Sequence, residues 1–119
     1  MAYSIEKLSG STDGKGIVVS GTTTGATVTI HTAGAGAGDI DLVSLWAQNN
    51  DADGETRTLT LEWGAATSPD NVIIVSVPCK AGPVFLCDRL PIMNSLIVKA
   101  FADEANDVVI YGHVARSNI

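Results

Sequence analysis

The stretch Thr56–Trp63, TRTLTLEW, decides the fold class, because its polar and apolar residues alternate from Thr58 to Trp63. Leu59, Leu61 and Trp63 share one face of an extended chain, while the threonines and Glu62 occupy the other face. A period of two is typical of a strand that packs one face into a core and leaves the other outside. We therefore predict a β-strand over this stretch.

Seven further short stretches predict strands, and one of them alternates in the same way. Four others are apolar on both faces, which is typical of strands that are covered twice. Turns rich in Gly, Pro, Asn and Asp separate the stretches, and no amphipathic stretch is long enough for a helix. We predict an all-β fold, an antiparallel β-sandwich that is jelly-roll-like and has about eight strands. The seven stretches are GIVVSG from Gly16, ATVTIHT from Ala26, DLVSLWA from Asp41, NVIIVSV from Asn71, PVFLCD from Pro83, SLIVKAF from Ser95 and DVVIYGHV from Asp107.

The length of 119 residues is that of one domain with a single core. Residues 1–15 are polar, rich in Gly and Ser, and lack a sustained period of either kind. We predict a flexible N-terminal leader over residues 1–15 and a β-sandwich domain over residues 16–119.

The composition bears on the partners of the chain. It is 45% hydrophobic and 17% charged, so we expect part of its surface to meet another chain. The net charge is −6 and the basic residues are scattered singly, which argues against a nucleic-acid partner. The N-terminus shows no secretory signal and no apolar stretch is long enough for a bilayer, so we expect synthesis in the cytoplasm and no membrane partner.

The run AGAGAGD, Ala33–Asp39, raises the question of phosphate binding. A dinucleotide loop needs G-x-G-x-x-G before a helix, whereas a strand-like stretch follows this run. The segment GSTDGKG, Gly10–Gly16, misses the P-loop spacing by one residue. We predict no nucleotide cofactor, and a connection between strands whose small residues allow the backbone to pass close to a neighbour.

The segment NNDADGE, Asn49–Glu55, resembles the first half of a calcium loop, with oxygen-bearing side chains at alternate positions and Gly54 at the sixth. The twelfth position, where a bidentate glutamate belongs, is Thr60. A hairpin turn with solvated carboxylates explains the same residues. We therefore predict a turn and no metal site.

Cys79 and Cys87 flank a segment whose Ala-Gly-Pro predicts a turn, so a disulfide across a hairpin is one interpretation. Two cysteines in a chain without a secretory signal are more often reduced, and we predict free thiols. His31 and His113 do not lie at zinc-finger spacing from them.

No catalytic signature is present, neither G-x-S-x-G nor a cysteine–histidine motif, and we predict no catalytic residue. His31 lies on the polar face of its predicted strand, which predicts a solvated histidine. His113 shares a face with apolar residues and predicts an interface histidine. Asp39 and Asp41 share one strand face, a pattern that can bind a metal but usually meets water.

Trp46 and Trp63 allow an alternative, a stacking platform for a sugar in a lectin-like module. Trp63 continues the apolar face of its strand, however, which favours core packing. The six aromatic residues of the chain are few for a carbohydrate-binding surface.

The order of the segments DLVSLWAQNND, TRTLTLEWG, DNVIIVSVPCKAG and PIMNSLIVKAFADEANDVVIYGHVAR resembles that of small all-β virion proteins of tailed bacteriophages. This group comprises capsid decoration or cement proteins and related head or connector components. The resemblance covers residues 16–116. It implies a noncatalytic structural role, assembly onto a shell in the host cytoplasm, and an oligomer, often a trimer in decoration proteins.

We therefore predict a capsid decoration protein on the virion surface that forms a homo-oligomer, expected to be a trimer, and clamps neighbouring subunits of the major capsid protein. A head-tail connector or tail component and a lectin-like sandwich are the alternatives. One sandwich core uses one face of each sheet, so the other apolar faces need a cover. The residues predicted at the interface are Val72, Ile74, Ile97, Phe101, Val109 and Tyr111.

Overall fold

A computed structural model describes residues 2–118 of the chain. Within that range it has nine strands and no helix, and hence no helix that could span a membrane. In chain order the strands are β1 (Ala2–Lys7), β2 (Ile17–Val18), β3 (Val28–Thr32), β4 (Asp39–Asn49), β5 (Arg57–Trp63), β6 (Val72–Val77), β7 (Val84–Ile92), β8 (Ile97–Ala102) and β9 (Val108–Asn118).

The strands form two antiparallel sheets that pack face to face, which confirms the predicted all-β sandwich. The larger sheet has the order β1-β9-β4-β7, and β2 pairs with β9 beyond the end of β1. The smaller sheet has the order β3-β8-β5-β6. The neighbours β2 and β9, β3 and β8, β4 and β7, and β5 and β6 are nested pairs along the chain.

All eight predicted stretches contain strands, and β1 is the ninth. It lies in the segment predicted as a flexible leader, but it pairs with β9 over six residues. Leu8, which follows it, is 1% exposed and belongs to the core. Tyr3 and Ile5, the large apolar residues of β1, point away from the core. Backbone pairing with β9 and burial of Leu8 therefore hold the segment in place.

The core lies between the sheets and contains the residues that alternation predicts. Leu59 and Leu61 of β5 are fully buried, and Trp63 packs against the same cluster. The facing strands of the larger sheet contribute Val43, Leu45 and further aliphatic side chains. Each fully buried aliphatic side chain contributes about 1.5–3 kcal/mol from removal of apolar area from water.

The hairpin predicted at Asn49–Glu55 and the hairpin interpretation of the Cys79–Cys87 segment are both wrong, because the strands that they would join lie in different sheets. The segment NNDADGE connects β4 of the larger sheet to β5 of the smaller one, and the segment CKAGP connects β6 back to β7. Among the described strands, only β5 and β6 are both consecutive and paired. Local turn chemistry predicts where the chain reverses but not which sheet the next strand joins.

Candidate interaction surface

The outer face of the larger sheet carries most of the exposed apolar side chains. Over the part of the chain whose side chains are described, residues 3–117, seven large hydrophobic residues are exposed, and five lie on this face. We call this surface, together with the half-buried Trp46 at its centre, the aromatic face. The five are Tyr3 (64%), Ile5 (75%), Val18 (47%), Phe85 (57%) and Tyr111 (40%).

A row of aromatic residues crosses the middle of this face. The strand register places Tyr111 of β9 opposite Trp46 of β4, and Trp46 opposite Phe85 of β7. The Trp46 and Phe85 rings meet edge to face with centroids 6.4 Å apart, and His113 stacks on Trp46 with centroids 6.0 Å apart. A Cβ at Gly16 would lie 2.7 Å from the Tyr111 ring, so glycine is required beside it. The Trp46 ring is thus held between Phe85 and His113 at the centre of the face.

The aromatic row has apolar neighbours on one side and charges at its margins. Ile5 of β1 continues the apolar surface across β9 to Leu42 of β4. Lys7 lies at one margin, and the exposed pair of Asp88 and Arg89 lies at the other, on β7. An apolar centre with a polar rim is the usual anatomy of a protein–protein interface.

The structure does not bring the six predicted interface residues together. Val109 and Tyr111 lie on the aromatic face, as β9 alternation requires. The other four, which are Val72, Ile74, Ile97 and Phe101, lie on the opposite side of the molecule, on the outer face of the smaller sheet.

That second outer face is mixed rather than apolar. Register places Lys99 of β8 opposite Glu62 of β5, and Thr60 lies between Phe101 and Ile74. Glu62 is 5% exposed and accepts a hydrogen bond from Thr24 Oγ1 at 2.6 Å. The aromatic face is therefore the stronger candidate. The sequence prediction did not include Tyr3 and Ile5, although they alternate with Ser4 and Glu6 in AYSIEK.

A buried polar cluster joins four parts of the chain behind the glycine-rich connection. His31 is 1% exposed, so the prediction of a solvated histidine is wrong. The register of β3 shifts between Thr29 and His31, and this irregularity turns the ring inward. His31 Nδ1 accepts a hydrogen bond from the Ser9 backbone N–H at 3.0 Å, so Nε2 carries the proton that it donates to Asp41 at 2.7 Å.

Arg116 completes the cluster from β9. Its Nε and Nη2 donate to the two carboxylate oxygens of Asp41 at 2.7 and 3.0 Å, a bidentate pair. Burial alone would raise the pKa of Asp41, but the hydrogen bonds from Arg116 and His31 outweigh burial and lower it. Asp41 is thus an ionised carboxylate with its acceptors occupied, not the water-facing group that was predicted.

The Gly-Ala run passes directly over this cluster. Gly34 N donates to Asp41 Oδ2 at 3.2 Å, and a Cβ at Gly34 would lie 3.2 Å from Arg116 Nε. At Gly36 a Cβ would lie 2.5 Å from the Asp39 carboxylate. The prediction that small residues allow a close backbone approach is confirmed, and the neighbour is an ion pair.

The cluster contains a serine, a histidine and an aspartate but not the geometry of a nucleophilic triad. Ser9 contacts the imidazole through its backbone N–H, while its Oγ accepts a hydrogen bond from Thr32 N at 2.6 Å. A triad requires the hydroxyl to donate to the ring. His31 is also sealed from solvent, so the cluster links strands rather than presenting a reactive group.

An arginine occupies the centre of the calcium-like loop. Asp51 is 5% exposed and accepts hydrogen bonds from the backbone N–H groups of Asp53 and Glu55 and from Arg57 Nη2. Arg57 Nε also donates to Asp107 at 3.1 Å. The turn is present, but the prediction of solvated carboxylates is wrong for Asp51. Within residues 2–118 no group of three or more His, Cys, Asp or Glu side chains is placed to hold a metal.

We expect the stability of the protein to fall in acid partly through Asp51. Hydrogen bonds from the Glu55 backbone and from Arg57 lower its pKa from the ordinary 3.8 to about 2. Folding therefore favours the ionised form, and this contribution is complete above the unfolded value and lost as the pH falls through about 2. The urea midpoint of Asp51→Asn should depend less on pH between these two values than the wild-type midpoint does. Asp53→Asn, an exposed neighbour, is the matched control, and an equal change in both variants would contradict the assignment.

The two cysteines are free thiols with different surroundings. Cys87 lies on β7 and is 8% exposed, whereas Cys79 lies in the connection after β6 and donates to Asp51 O at 3.2 Å. Burial raises the pKa of the Cys87 thiol to about 11.

Alkylation should therefore separate the two thiols. In the native protein we expect iodoacetamide to modify Cys79 and to leave Cys87 unmodified, since the thiolate is the reactive species. In urea both should react, as counted by intact mass spectrometry. Rapid modification of Cys87 under native conditions would show that β7 opens from the core.

Comparison with known proteins adds no relative: no family model, no curated protein and no solved structure matches the chain.

Proposed function

We propose that this chain is a noncatalytic structural protein that is incorporated into a larger protein assembly through the aromatic face. The observation that carries the proposal is the concentration of five of seven exposed large hydrophobic side chains on one sheet face. Isolated exposed apolar residues are ordinary on a monomer, but a contiguous patch marks a contact surface or an aggregation hazard.

The energetics allow a protein partner to bind through this face. The Trp46 ring contacts Phe85 on one side and His113 on the other, and Tyr111 lies opposite Trp46 in the strand register, so the side chains at the centre of the face lose less entropy on binding than isolated ones would. Each residue buried at such a surface contributes on the order of 1.5–3 kcal/mol. Several together offset an association cost of about 4–15 kcal/mol.

A phage capsid is the assembly that the sequence resemblance supports. On this proposal the chain is a decoration or cement protein, and the aromatic face lies on the major capsid protein. The strands β4 and β9, whose segments carry part of the resemblance, also build the centre of the face. The homotrimer stays a prediction of the resemblance.

Co-sedimentation of the tagged chain with capsids from the same source tests the proposal. Phe85→Lys should weaken binding at least about 30-fold, the effect of losing a central anchor worth about 2 kcal/mol. Leu96→Lys is the control, because Leu96 is also exposed but lies in the turn before β8, off the aromatic face. Equal binding of Phe85→Lys and wild type would overturn the proposal.

A lectin-like module is the second candidate, because exposed aromatic rings in a row also suit sugar stacking. The arrangement is less favourable than for a protein partner, since one face of Trp46 is occupied by His113. Quenching of tryptophan fluorescence by a glycan, lost in Tyr111→Ala, would favour this alternative.

A further inference from the structure

The free edge of β6 differs from the other sheet edges. An unpaired strand edge presents backbone N–H and C=O groups to any extended chain, and proteins usually protect such edges. On β7 the protection consists of Asp88, Arg89 with φ of 54°, and Pro91. On β1 it consists of Glu6 and Lys7.

The edge of β3 is covered by the chain itself. Gly10 N donates to Ile30 O at 3.0 Å, and Thr32 N donates to Ser9 Oγ at 2.6 Å. The segment after β1 therefore occupies the hydrogen-bonding positions along that edge. β2, with two residues, is too short to template a partner.

β6 has none of these protections. Val72–Val77 contains no charged residue and no proline, and its register with β5 runs without a shift. Trp63 N donates to Asn71 O at 2.8 Å, which fixes the phase of the antiparallel ladder. Odd-numbered residues of β6 therefore bond to β5, and the N–H and C=O groups of Val72, Ile74 and Ser76 point to the free edge.

We propose that β6 pairs with β6 of a second copy of this chain, antiparallel and about a two-fold axis at Ile74, so that the two smaller sheets form one eight-stranded sheet. The two-fold axis is perpendicular to the sheet, so inward faces join inward faces. In this register Ile74 pairs with its own copy and Val72 pairs with Ser76, which allows all three edge-facing residues to form hydrogen bonds. A shift by two residues toward the C-terminus places Pro78, which has no N–H, opposite Val72.

Two further features favour a second copy over an unrelated strand. Ile74 is 66% exposed, and this register buries it against the equivalent side chain of the other copy. Exposed Asp70 precedes β6 and exposed Lys80 follows it, so antiparallel pairing brings the acidic end of one strand to the basic end of the other. The inference does not depend on the aromatic face, because it uses the other sheet and is measured on the isolated chain. It competes with the homotrimer that the resemblance implies, and the mass of the isolated chain distinguishes the two.

The mass of the isolated full-length chain is the first test. Light scattering at increasing concentration should approach twice the monomer mass of 12.3 kDa. Ile74→Lys should be monomeric with an unchanged circular dichroism spectrum, since Ile74 does not contribute to the core. Leu96→Lys, the control, should remain dimeric. A monomeric or trimeric wild type, or a dimer that survives Ile74→Lys, would overturn the proposal.

A disulfide test reports the register. Directly opposed, hydrogen-bonded residues have Cα atoms about 5.5 Å apart, within the range for a disulfide. In a Cys79→Ser background, Ile74→Cys should form a covalent dimer on mild oxidation. Ser76→Cys should not, because the two copies of residue 76 are offset by four residues, about 13 Å along the strands. Equal cross-linking of both variants, or cross-linking of neither, would contradict the two-fold register.

Discussion

Asp41→Ala is expected to lower the free energy of unfolding by about 3–5 kcal/mol, the usual effect of removing one partner of a buried ion pair. The change leaves the guanidinium of Arg116 and Nε2 of His31 without their acceptor and removes the bond from Gly34 N. Urea denaturation followed by circular dichroism measures the loss.

Two comparisons make this result specific. Asp41→Asn keeps one acceptor oxygen and should lose less stability than Asp41→Ala. Asp88→Ala removes an exposed carboxylate that pairs with Arg89, and pairs of that kind contribute about 0–1 kcal/mol. A loss below about 1 kcal/mol for Asp41→Ala would show that the cluster does not hold the strands together.

Gly112→Ala is expected to have a comparable effect at the centre of the larger sheet. A Cβ at Gly112 would lie 2.1 Å from Ser44 O, a backbone atom of the paired strand β4. Because neither strand can yield without breaking the β4–β9 ladder, we expect a loss of about 3 kcal/mol, the upper range for overpacking. At about 4 °C per kcal/mol for a domain of this size, the melting temperature should fall by roughly 12 °C.

Gly25→Ala is the matched control for that substitution. A Cβ there would have no neighbour closer than Thr23 Oγ1 at 3.9 Å, so stability should be nearly unchanged. If Gly112→Ala had the same melting temperature as Gly25→Ala, the close approach of β9 to β4 would not be a constraint of the fold.

Strand positions and inward faces could be predicted from the sequence because they follow from local alternation. TRTLTLEW is the clearest case, with Leu59 and Leu61 fully buried as predicted. The stretches that are apolar on both faces are strands, as predicted. On β9, for example, one face packs into the core and the other presents apolar side chains on the outer face of the sheet. The missed strand β1 has its apolar residues on the outer face, and nothing in its own pattern shows that β9 will pair with it.

The polar clusters could not be predicted, because each depends on partners far apart in sequence. Alternation along β3 predicts that His31 faces solvent. The irregularity in β3 instead turns the ring toward Asp41 and Arg116. Arg57 joins Asp51, across the crossing between the two sheets, to Asp107, which lies 50 residues further along the chain. Sequence spacing alone therefore predicted that the carboxylates of Asp41 and Asp51 face water.

Hydroxyl-radical footprinting of the chain, alone and in its assembly, tests most directly whether the aromatic face is the buried surface. Oxidation of Phe85 and Tyr111 should fall several-fold on assembly, and oxidation of Tyr3 at the margin should fall with them. Leu96, exposed but off the face, should be oxidised equally in both states. Unchanged oxidation of Phe85 and Tyr111 in the assembled particle would contradict the account.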